Sequence, residues 1–359
     1  MPYNPKKEEI RRGRVKLDEE VSFFNKHEFP LSLFLFLVFL AFIILFFKSA
    51  TNGELQTCGD GTFYDSCSIV KPYYCQQGAL IEKASVCGCI GNRNGDSCIG
   101  NLQTGEKNTT LKYFLDGEQK TLDFAVYKGL SDHLSGISRV ISYEGTAKPL
   151  RSDFRFKKIN EEEQRNLLLP LVVEIQNLTD DKEEQARIAV SLVQNIPYGA
   201  SNKTDGFFGM SVNYSRYPYE VLYDGYGICG EKSELLVFLL REIGYETVLF
   251  YNQKENHESV GIKCPIEESY KETGYCFVET TGPSIITDDS IEYVGGITLD
   301  SEPEVILIST GDSLVKSLEE YRDAEEMRSL KKNPFVLFRN SRLEKLREKY
   351  GLVEEYNLA

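Results

Sequence analysis

The clearest pattern of apolar and polar positions is helical, and it lies just after Cys229. Apolar residues recur at spacings of three and four from Leu235 to Ile243, and the run stops at Gly244. This pattern predicts a helix of about four turns that begins just after Cys229. Strand-like apolar runs follow the helix, and they predict three strands over residues 246–252, 259–263 and 275–280.

Upstream of Cys229, three short apolar runs predict a small β-unit. The runs are LKYFL, TLDFAVY and RVISY, within residues 111–155, and Asp116-Gly117 between the first two is a hairpin signal. Helical spacing then returns in residues 161–178, around Pro170, and again in residues 181–198.

A helix cap, further strands and a second amphipathic helix are also predicted, and together these elements indicate the fold class. Thr179 or Asp180 is the expected cap of the second helix. Strand-like runs in residues 285–309 precede an amphipathic helix over residues 314–332, and the charged segment after it is expected to be solvated. Helices and strands mixed in this order predict an α+β fold.

A long apolar run near the start of the sequence predicts a membrane anchor. Residues 31–47 contain only one polar residue, Ser32, and they are just long enough to cross a bilayer as a helix. A cleaved signal peptide is the alternative, although its apolar part is usually ~7–15 residues and its charged leader is short. Basic residues are concentrated before the run, so residues 1–29 are expected to be cytoplasmic and the rest outside.

Cysteine usage agrees with an oxidising compartment. Residues 51–100 hold six cysteines and few aliphatic residues, so three disulfides are expected, with a zinc site as the alternative. The six are Cys58, Cys67, Cys75, Cys87, Cys89 and Cys98. Cys264 and Cys276 flank a polar loop between two predicted neighbouring strands and are expected to form a fourth disulfide. Of nine cysteines, Cys229 is then the one left as a thiol.

The residues around Cys229 have the types and the order that acyl transfer needs. A helix N-terminus favours an anion and therefore the thiolate form of Cys229. The chain has only three histidines, His27, His133 and His257, and the last lies near the predicted nucleophile. Cys229, His257 and Glu279 are thus the candidate nucleophile, base and orienting carboxylate. Asp288 or Asp289 is the alternative for the third role.

These motifs resemble the transglutaminase-like cysteine enzymes, which share a papain-like core. The resemblance spans residues 180–282: G-I-C opens an apolar helix that ends in R-x-x-G, a histidine starts a strand, and a carboxylate followed by threonine lies on the next strand. It implies cysteine protease or acyltransferase activity, with Cys229, His257 and Glu279 in the three roles. The family usually has Asp at the position of Glu279. The cysteine-rich segment resembles small modules beside extracytoplasmic domains of archaeal proteins.

Two further observations bear on surroundings and partners. The net charge of −14 argues against nucleic acid or an anionic lipid surface as a partner. Four N-x-Ser/Thr sequons on the predicted outer side, at Asn108, Asn177, Asn202 and Asn213, predict a glycoprotein.

The polar, tyrosine-rich residues 200–226 are expected to line the substrate cleft or to pack as a loop, with Tyr217 and Tyr219 as conceivable oxyanion donors.

Together these patterns predict a single-pass membrane protein with an α+β, transglutaminase-like domain outside the cell. The predicted segments are a cytoplasmic tail (1–29), a signal anchor (30–48), a disulfide module (49–106), a small β-unit (107–158), the transglutaminase-like domain (159–310) and a C-terminal helical segment (311–359). The expected activity is amide hydrolysis or acyl transfer on a protein or peptide, without cofactor or metal. The alternatives are an inactive binding module of the cell envelope and a zinc-bound adaptor.

Overall fold

The computed structural model describes residues 34–40, 56–207, 210–290, 298–333, 335 and 337–352. The chain divides into two units, residues 1–55 and 56–359, and of the first unit residues 34–40 form a helix (α1). In the described part of the chain, no helix has both the length and the apolar character needed to cross a membrane. Most of the predicted anchor, residues 31–47, and all of residues 1–29 lie outside the described residues.

The cysteine-rich segment folds into small β-sheets cross-linked by disulfides. Its bonds join Cys58 to Cys75, Cys67 to Cys87 and Cys89 to Cys98, so none of the six thiolates remains for the alternative zinc site. The elements are β1 (Ser66–Cys67), β2 (Tyr73–Gln76), β3 (Ala79–Glu82), α2 (Ala84–Cys87), β4 (Asn92–Asn94) and β5 (Ser97–Ile99). Its small core packs against Val173, so the module is attached to the larger domain by apolar contact.

The predicted β-unit is one long hairpin followed by two helices. Strands β6 (Glu106–Leu115) and β7 (Glu118–Tyr127) are antiparallel, and Asp116 and Gly117 between them both have positive φ, at 55° and 77°. Two-residue hairpin turns of this kind require positive φ at both positions, which is why Asp-Gly is a strong signal. Helices α3 (Lys128–Gly136) and α4 (Arg151–Ile159) follow.

The prediction of a third strand at residues 139–143 is wrong. This segment has no regular structure, because Arg139 at its start donates to the carbonyls of Leu134 (2.6 Å) and Ile137 (2.5 Å) and holds the chain against the end of α3. The amphipathic helix α4 was also not predicted. Its apolar positions are few, and its basic side chains have partners that are distant in sequence.

The larger core is built from helices packed on an antiparallel four-stranded sheet. The helices are α5 (Glu162–Leu178), α6 (Lys182–Gln194) and α8 (Cys229–Ile243), after the short α7 (Pro218–Asp224). The sheet has the order β12-β11-β10-β13, with β10 (Thr247–Asn252), β11 (His257–Lys263), β12 (Tyr275–Val278) and β13 (Glu304–Ser309). Residues 235–240 of α8 are fully buried, which explains their continuous apolar character.

Two predicted boundaries differ from the structure, and further elements are present. Asp181, rather than Thr179 or Asp180, caps α6 by accepting from the Glu184 N–H at 2.8 Å. The predicted amphipathic helix, α9 (Glu319–Lys332), begins five residues later than expected, because residues 314–318 bring Leu314 and Leu318 into the core. The polar segment before Cys229 contains a short hairpin, β8 (Thr204–Phe207) and β9 (Met210–Asn213), and helix α10 (Arg339–Tyr350) follows α9.

Candidate active site

Cys229 is the first residue of α8, and a buried carboxylate fixes this end of the helix. Glu231 accepts from the Ile228 N–H (3.0 Å) with one oxygen and from the Arg216 N–H (2.7 Å) with the other. The side chain of Cys229 is partly exposed and is a free thiol, whereas the other eight cysteines form four disulfides. The structure thus presents one thiol at a helix N-terminus.

The three residues singled out from the sequence come together. Nε2 of His257 lies 2.9 Å from Oε2 of Glu279, and the imidazole is also hydrogen-bonded to the thiol of Cys229. The imidazole therefore bridges thiol and carboxylate, which is the arrangement of a nucleophile, its base and the orienting group.

The surroundings of the imidazole determine its charge. Burial by itself lowers the pKa of His257, but the adjacent carboxylate of Glu279 and the Cys229 thiol outweigh it and raise this pKa to about 10. Burial likewise raises the pKa of Glu279, yet His257 and two hydrogen bonds from Thr281 bring it below its usual range. At neutral pH the site therefore holds an imidazolium paired with a carboxylate.

Both carboxylate oxygens of Glu279 have hydrogen-bond partners. Its second oxygen accepts from the backbone N–H of Thr281 (2.7 Å) and from the Thr281 hydroxyl (2.6 Å), and the side chain is 1% exposed. These local bonds turn the chain at Glu279, so β12 ends at Val278 rather than continuing to residue 280 as predicted. The carboxylate is consequently held in one orientation toward the ring.

A disulfide and the strand pairing fix His257 and Glu279 relative to each other. Strands β11 and β12 are antiparallel, with Val260 opposite Val278. Cys264 and Cys276 are joined, with their Cα atoms 5.7 Å apart, in the pairing predicted from the sequence. The cross-link closes the loop between the strands at the end away from the imidazole.

A pair of hydroxyl groups joins the nucleophile helix to the sheet. Ser233 of α8 and Thr280 are hydrogen-bonded through their hydroxyls at 3.0 Å, and Thr280 also donates to the carbonyl of Cys229 at 3.4 Å. All of these groups are buried or partly buried. The first turn of α8 is thereby held next to the chain that carries Glu279.

Lys232 is a site residue that sequence reasoning missed. Its side chain is fully buried, and Nζ donates to the carbonyls of Gln194 (3.3 Å), Ile196 (2.5 Å) and Thr281 (3.2 Å). Burial lowers its pKa to about 7, although the charge of Glu279 opposes the shift. The signal in the sequence was its position three residues after Cys229, on the helix face that turns toward Glu279.

Several other predicted residues lie away from the thiol. Tyr219 is fully buried and its hydroxyl accepts from the Tyr127 N–H (2.6 Å), so it is not an oxyanion donor. Tyr217 is also fully buried, and it lines a cavity beside α4. Tyr198 is 47% exposed and forms a β-bridge with Gly227, two residues before Cys229. Asp288 and Asp289 pair with Lys331 (3.3 Å) and Arg328 (3.7 Å), so they do not replace Glu279.

The remaining predicted sites lie on other elements of the fold or outside the described residues. Asn108 and Asn202 are exposed, Asn213 lies in β9, and the exposed Asn177 bonds through its amide to the backbone of Leu80. His133 is on α3 and His27 lies outside the described residues. Within the described ranges, no group of three or more His, Cys, Asp or Glu side chains is arranged to hold a metal ion.

Comparisons with known proteins add little to this geometry. No protein-family profile matches the chain, and no curated protein matches it. Two similar solved structures are both of Legionella pneumophila LapG. One is the calcium-bound form (16% identity, TM-score 0.25), and the other is described simply as LapG (19% identity, TM-score 0.26). In both cases the similarity covers 50% of this chain and 99% of LapG. At such TM-scores the likeness carries no conclusion about this chain, and the role of Cys229 rests on its contacts.

Proposed function

We propose that this chain is a transglutaminase-like cysteine enzyme that cleaves or transfers acyl groups through a thioester on Cys229. The observation that carries the proposal is the buried imidazole of His257, which contacts both the only thiol of the chain and the carboxylate of Glu279. A merely structural cysteine has no need of a protonated imidazole beside it. The inactive binding module predicted as an alternative has no such single observation in its favour.

The chemistry follows from the charges of the three groups. The thiolate of Cys229, paired with the imidazolium, attacks an amide carbonyl, and the N–H groups of the first turn of α8 stabilise the oxyanion. His257 then gives its proton to the leaving amine as the C–N bond breaks, which leaves the thioester. The neutral ring next takes a proton from water or from an acceptor amine as that group attacks. Release of the acid or the new amide restores the thiolate of Cys229 and the imidazolium of His257.

Glu279 has a positioning role in this sequence. It keeps Nε2 of His257 engaged, and its negative charge stabilises the ring when it is protonated. A glutamate at this position does what the family aspartate is expected to do, because the hydrogen bonds from Thr281 fix the longer side chain. The departure from the family pattern is thereby accommodated locally.

We also propose that the enzyme is a single-pass membrane protein, with residues 1–29 in the cytoplasm and the catalytic domain outside. The apolar run at residues 31–47 and the distribution of basic residues support this arrangement, and the four disulfides agree with an oxidising compartment. Protease added to intact cells should digest the large domain and spare the tail. Digestion of the tail alone would reverse the assigned orientation.

The proposed chemistry can be tested by trapping the acyl-enzyme. The protein is incubated with p-nitrophenyl acetate, and the mass of the peptide that contains Cys229 is measured over time, with and without glycine methyl ester as acceptor. We expect an acetyl group on Cys229 that turns over, and His257→Asn should slow acetylation by at least about 10²-fold, as loss of a general acid and base does. His133→Asn, an exposed histidine on α3, is the matched control and should acetylate normally.

Each outcome of this experiment separates the candidates. Faster loss of the acetyl group from Cys229 when the amine is present would identify acyl transfer, and loss at a rate unaffected by the amine would identify hydrolysis. If Cys229 is acetylated equally in the natural protein and in His257→Asn, the imidazole does not activate the thiol. The inactive binding module would then be the better description.

A further inference from the structure

A cavity lined by basic side chains lies beside the nucleophile helix. Its volume is about 450 Å³, which is within the usual range for ligand pockets, and Phe154 contributes apolar surface to its wall. The cations that line it come mainly from α4 and the segments around it: Arg139, Arg151, Arg155, Lys157 and Lys158. Among the described residues, no acidic side chain lines this cavity, although the chain as a whole carries a net charge of −14.

The carboxylates that neutralise part of this charge lie behind the cavity wall. Glu234, which is fully buried, pairs with Arg155 and Lys158 at 2.6 Å each. Arg139 pairs with the buried Glu220 at 2.9 Å. These ion pairs hold the basic side chains in place from behind and leave the cavity side without a negative group.

Among the described residues, Lys157 has no carboxylate partner, and Arg151 pairs with an exposed carboxylate rather than a buried one. Nζ of Lys157 donates to the backbone carbonyls of Ser138 (2.5 Å) and Val140 (2.9 Å). Arg151 stacks its guanidinium on the ring of Tyr251 at 3.4 Å, and its nearest carboxylate, Glu304, is 3.5 Å from Nε. Both side chains are partly exposed, so an anion that entered the cavity would reach them.

Arg155 connects this cavity with the site of the thiol. Its guanidinium pairs with Glu258, the residue after His257, and lies 3.6 Å from the position a β-carbon would take on Gly230, the residue after Cys229. A β-carbon at position 230 would clash with Glu258, so the glycine allows this ion pair to approach the helix end. The basic cavity is therefore next to the backbone that carries the nucleophile.

We propose that this cavity is a substrate subsite that receives an acidic side chain, an aspartate or glutamate of the peptide whose acyl group is taken up by Cys229. The proposal rests on the proposed function, and it adds a substrate class to it. Arginine and lysine bind carboxylates through charge-assisted hydrogen bonds. The cavity holds more than a single small ion, and Phe154 provides surface for the methylene groups and the flanking main chain.

The experiment compares labelling of Cys229 by paired peptides. Iodoacetyl-capped tetrapeptides with amidated C-termini carry glutamate or glutamine at each position in turn, so the only carboxylate is that side chain. The second-order rate constant at Cys229 is measured by mass spectrometry at low ionic strength. At one or more positions we expect the glutamate peptide to react on the order of tenfold faster, which corresponds to about 1.4 kcal/mol. That ratio should fall as salt is added.

The variants use the same ratio, so each protein has its own reference. Arg151→Gln combined with Lys157→Gln should bring the ratio of glutamate to glutamine peptide close to one. Lys112→Gln, an exposed lysine of β6 that does not line the cavity, is the matched control and should keep the ratio of the natural protein. The glutamine peptide also shows whether each variant is folded and still has a reactive thiol.

Failure of the subsite and failure of the proposed function give different results. A ratio near one at every position in the natural protein, or an unchanged ratio in the double variant, would overturn the subsite even if iodoacetamide labels Cys229 rapidly. If iodoacetamide reacts with Cys229 no faster than with glutathione, the proposed function itself fails. The iodoacetamide rate is therefore measured in parallel.

Discussion

Replacement of Glu279 by glutamine tests how the buried carboxylate controls the charge of the imidazole. The structure gives His257 a pKa of about 10, and Glu279, at 2.9 Å, is the largest contribution that raises it. Without the carboxylate charge, only the Cys229 sulfur still opposes the effect of burial, and the pKa should fall toward its ordinary value of about 6.5. Glutamine keeps the size of the side chain and its ability to accept from Thr281, so the change is mainly one of charge.

The expected magnitude follows from these two values. At pH 8 a ring with a pKa of about 10 is about 99% protonated, whereas a ring with a pKa of about 6.5 is only about 3% protonated. In addition, the glutamine amide would donate to Nε2, which places the remaining ring proton on Nδ1. The neutral ring in that tautomer cannot accept the thiol proton, so acetylation of Cys229 should fall with the protonated fraction, by up to about thirtyfold at pH 8.

The measurement is an NMR titration of the imidazole. The chain has three histidines, so selective isotope labelling gives three signals, and His257→Asn identifies the relevant one. We expect His257 to titrate near pH 10 in the natural protein and much closer to about 6.5 in Glu279→Gln. Glu118→Gln, an exposed residue of β7, should leave the titration unchanged. A natural protein that titrates near 6.5, or a variant that still titrates near 10, would refute the reasoning.

Three further predictions concern the groups that hold the site together. Because the pKa of His257 is raised in the folded state and that of Lys232 is lowered to about 7, the two have opposite effects on stability between about pH 7 and pH 10. In Lys232→Met only the histidine effect remains, so urea unfolding should show the free energy of unfolding falling with pH, by at most about 1.4 kcal/mol per pH unit; a free energy that rises with pH would contradict the assignment. In His257→Asn the lysine effect remains, so the same measurement should show stability rising with pH, and a decline would count against a buried, weakly basic Lys232. Replacement of Cys264 and Cys276 by serine removes a cross-link between residues 12 apart and should cost about 3 kcal/mol of unfolding free energy on the loop-entropy model; an unchanged urea midpoint would show that the strand pairing alone holds this loop.

The elements that could be predicted are those whose local sequence determines their structure. The helix after Cys229 has a long apolar run and a glycine stop, and the hairpin at Asp116-Gly117 has a turn that needs these residue types. The order of thiol, imidazole and carboxylate was readable because each lies at the start or end of a regular element. The prediction that the strands beside Cys264 and Cys276 are antiparallel neighbours, closed by a disulfide, agrees with the structure.

The features that the sequence did not predict depend on contacts between distant segments. Arg155 and Lys158 bind Glu234, about eighty residues away, and nothing local in α4 indicates that these charges are buried. Lys232 has three carbonyl partners from two other segments, so its role is visible only once the helices are packed. The run at residues 139–143 has strand-like composition, but tertiary contacts of Arg139 decide its conformation.

Alkylation of Cys229 at pH 6 tests the central claim most directly. A free thiol with a pKa of ~8.5 is less than about 1% thiolate at this pH and reacts slowly with iodoacetamide. We predict that Cys229 is a reduced thiol in the native protein, that it is alkylated at least about tenfold faster than glutathione, and that His257→Asn removes the excess rate while the fold is retained. Discovery of Cys229 in a disulfide, or a rate equal to that of glutathione, would contradict the account and leave the binding module in its place.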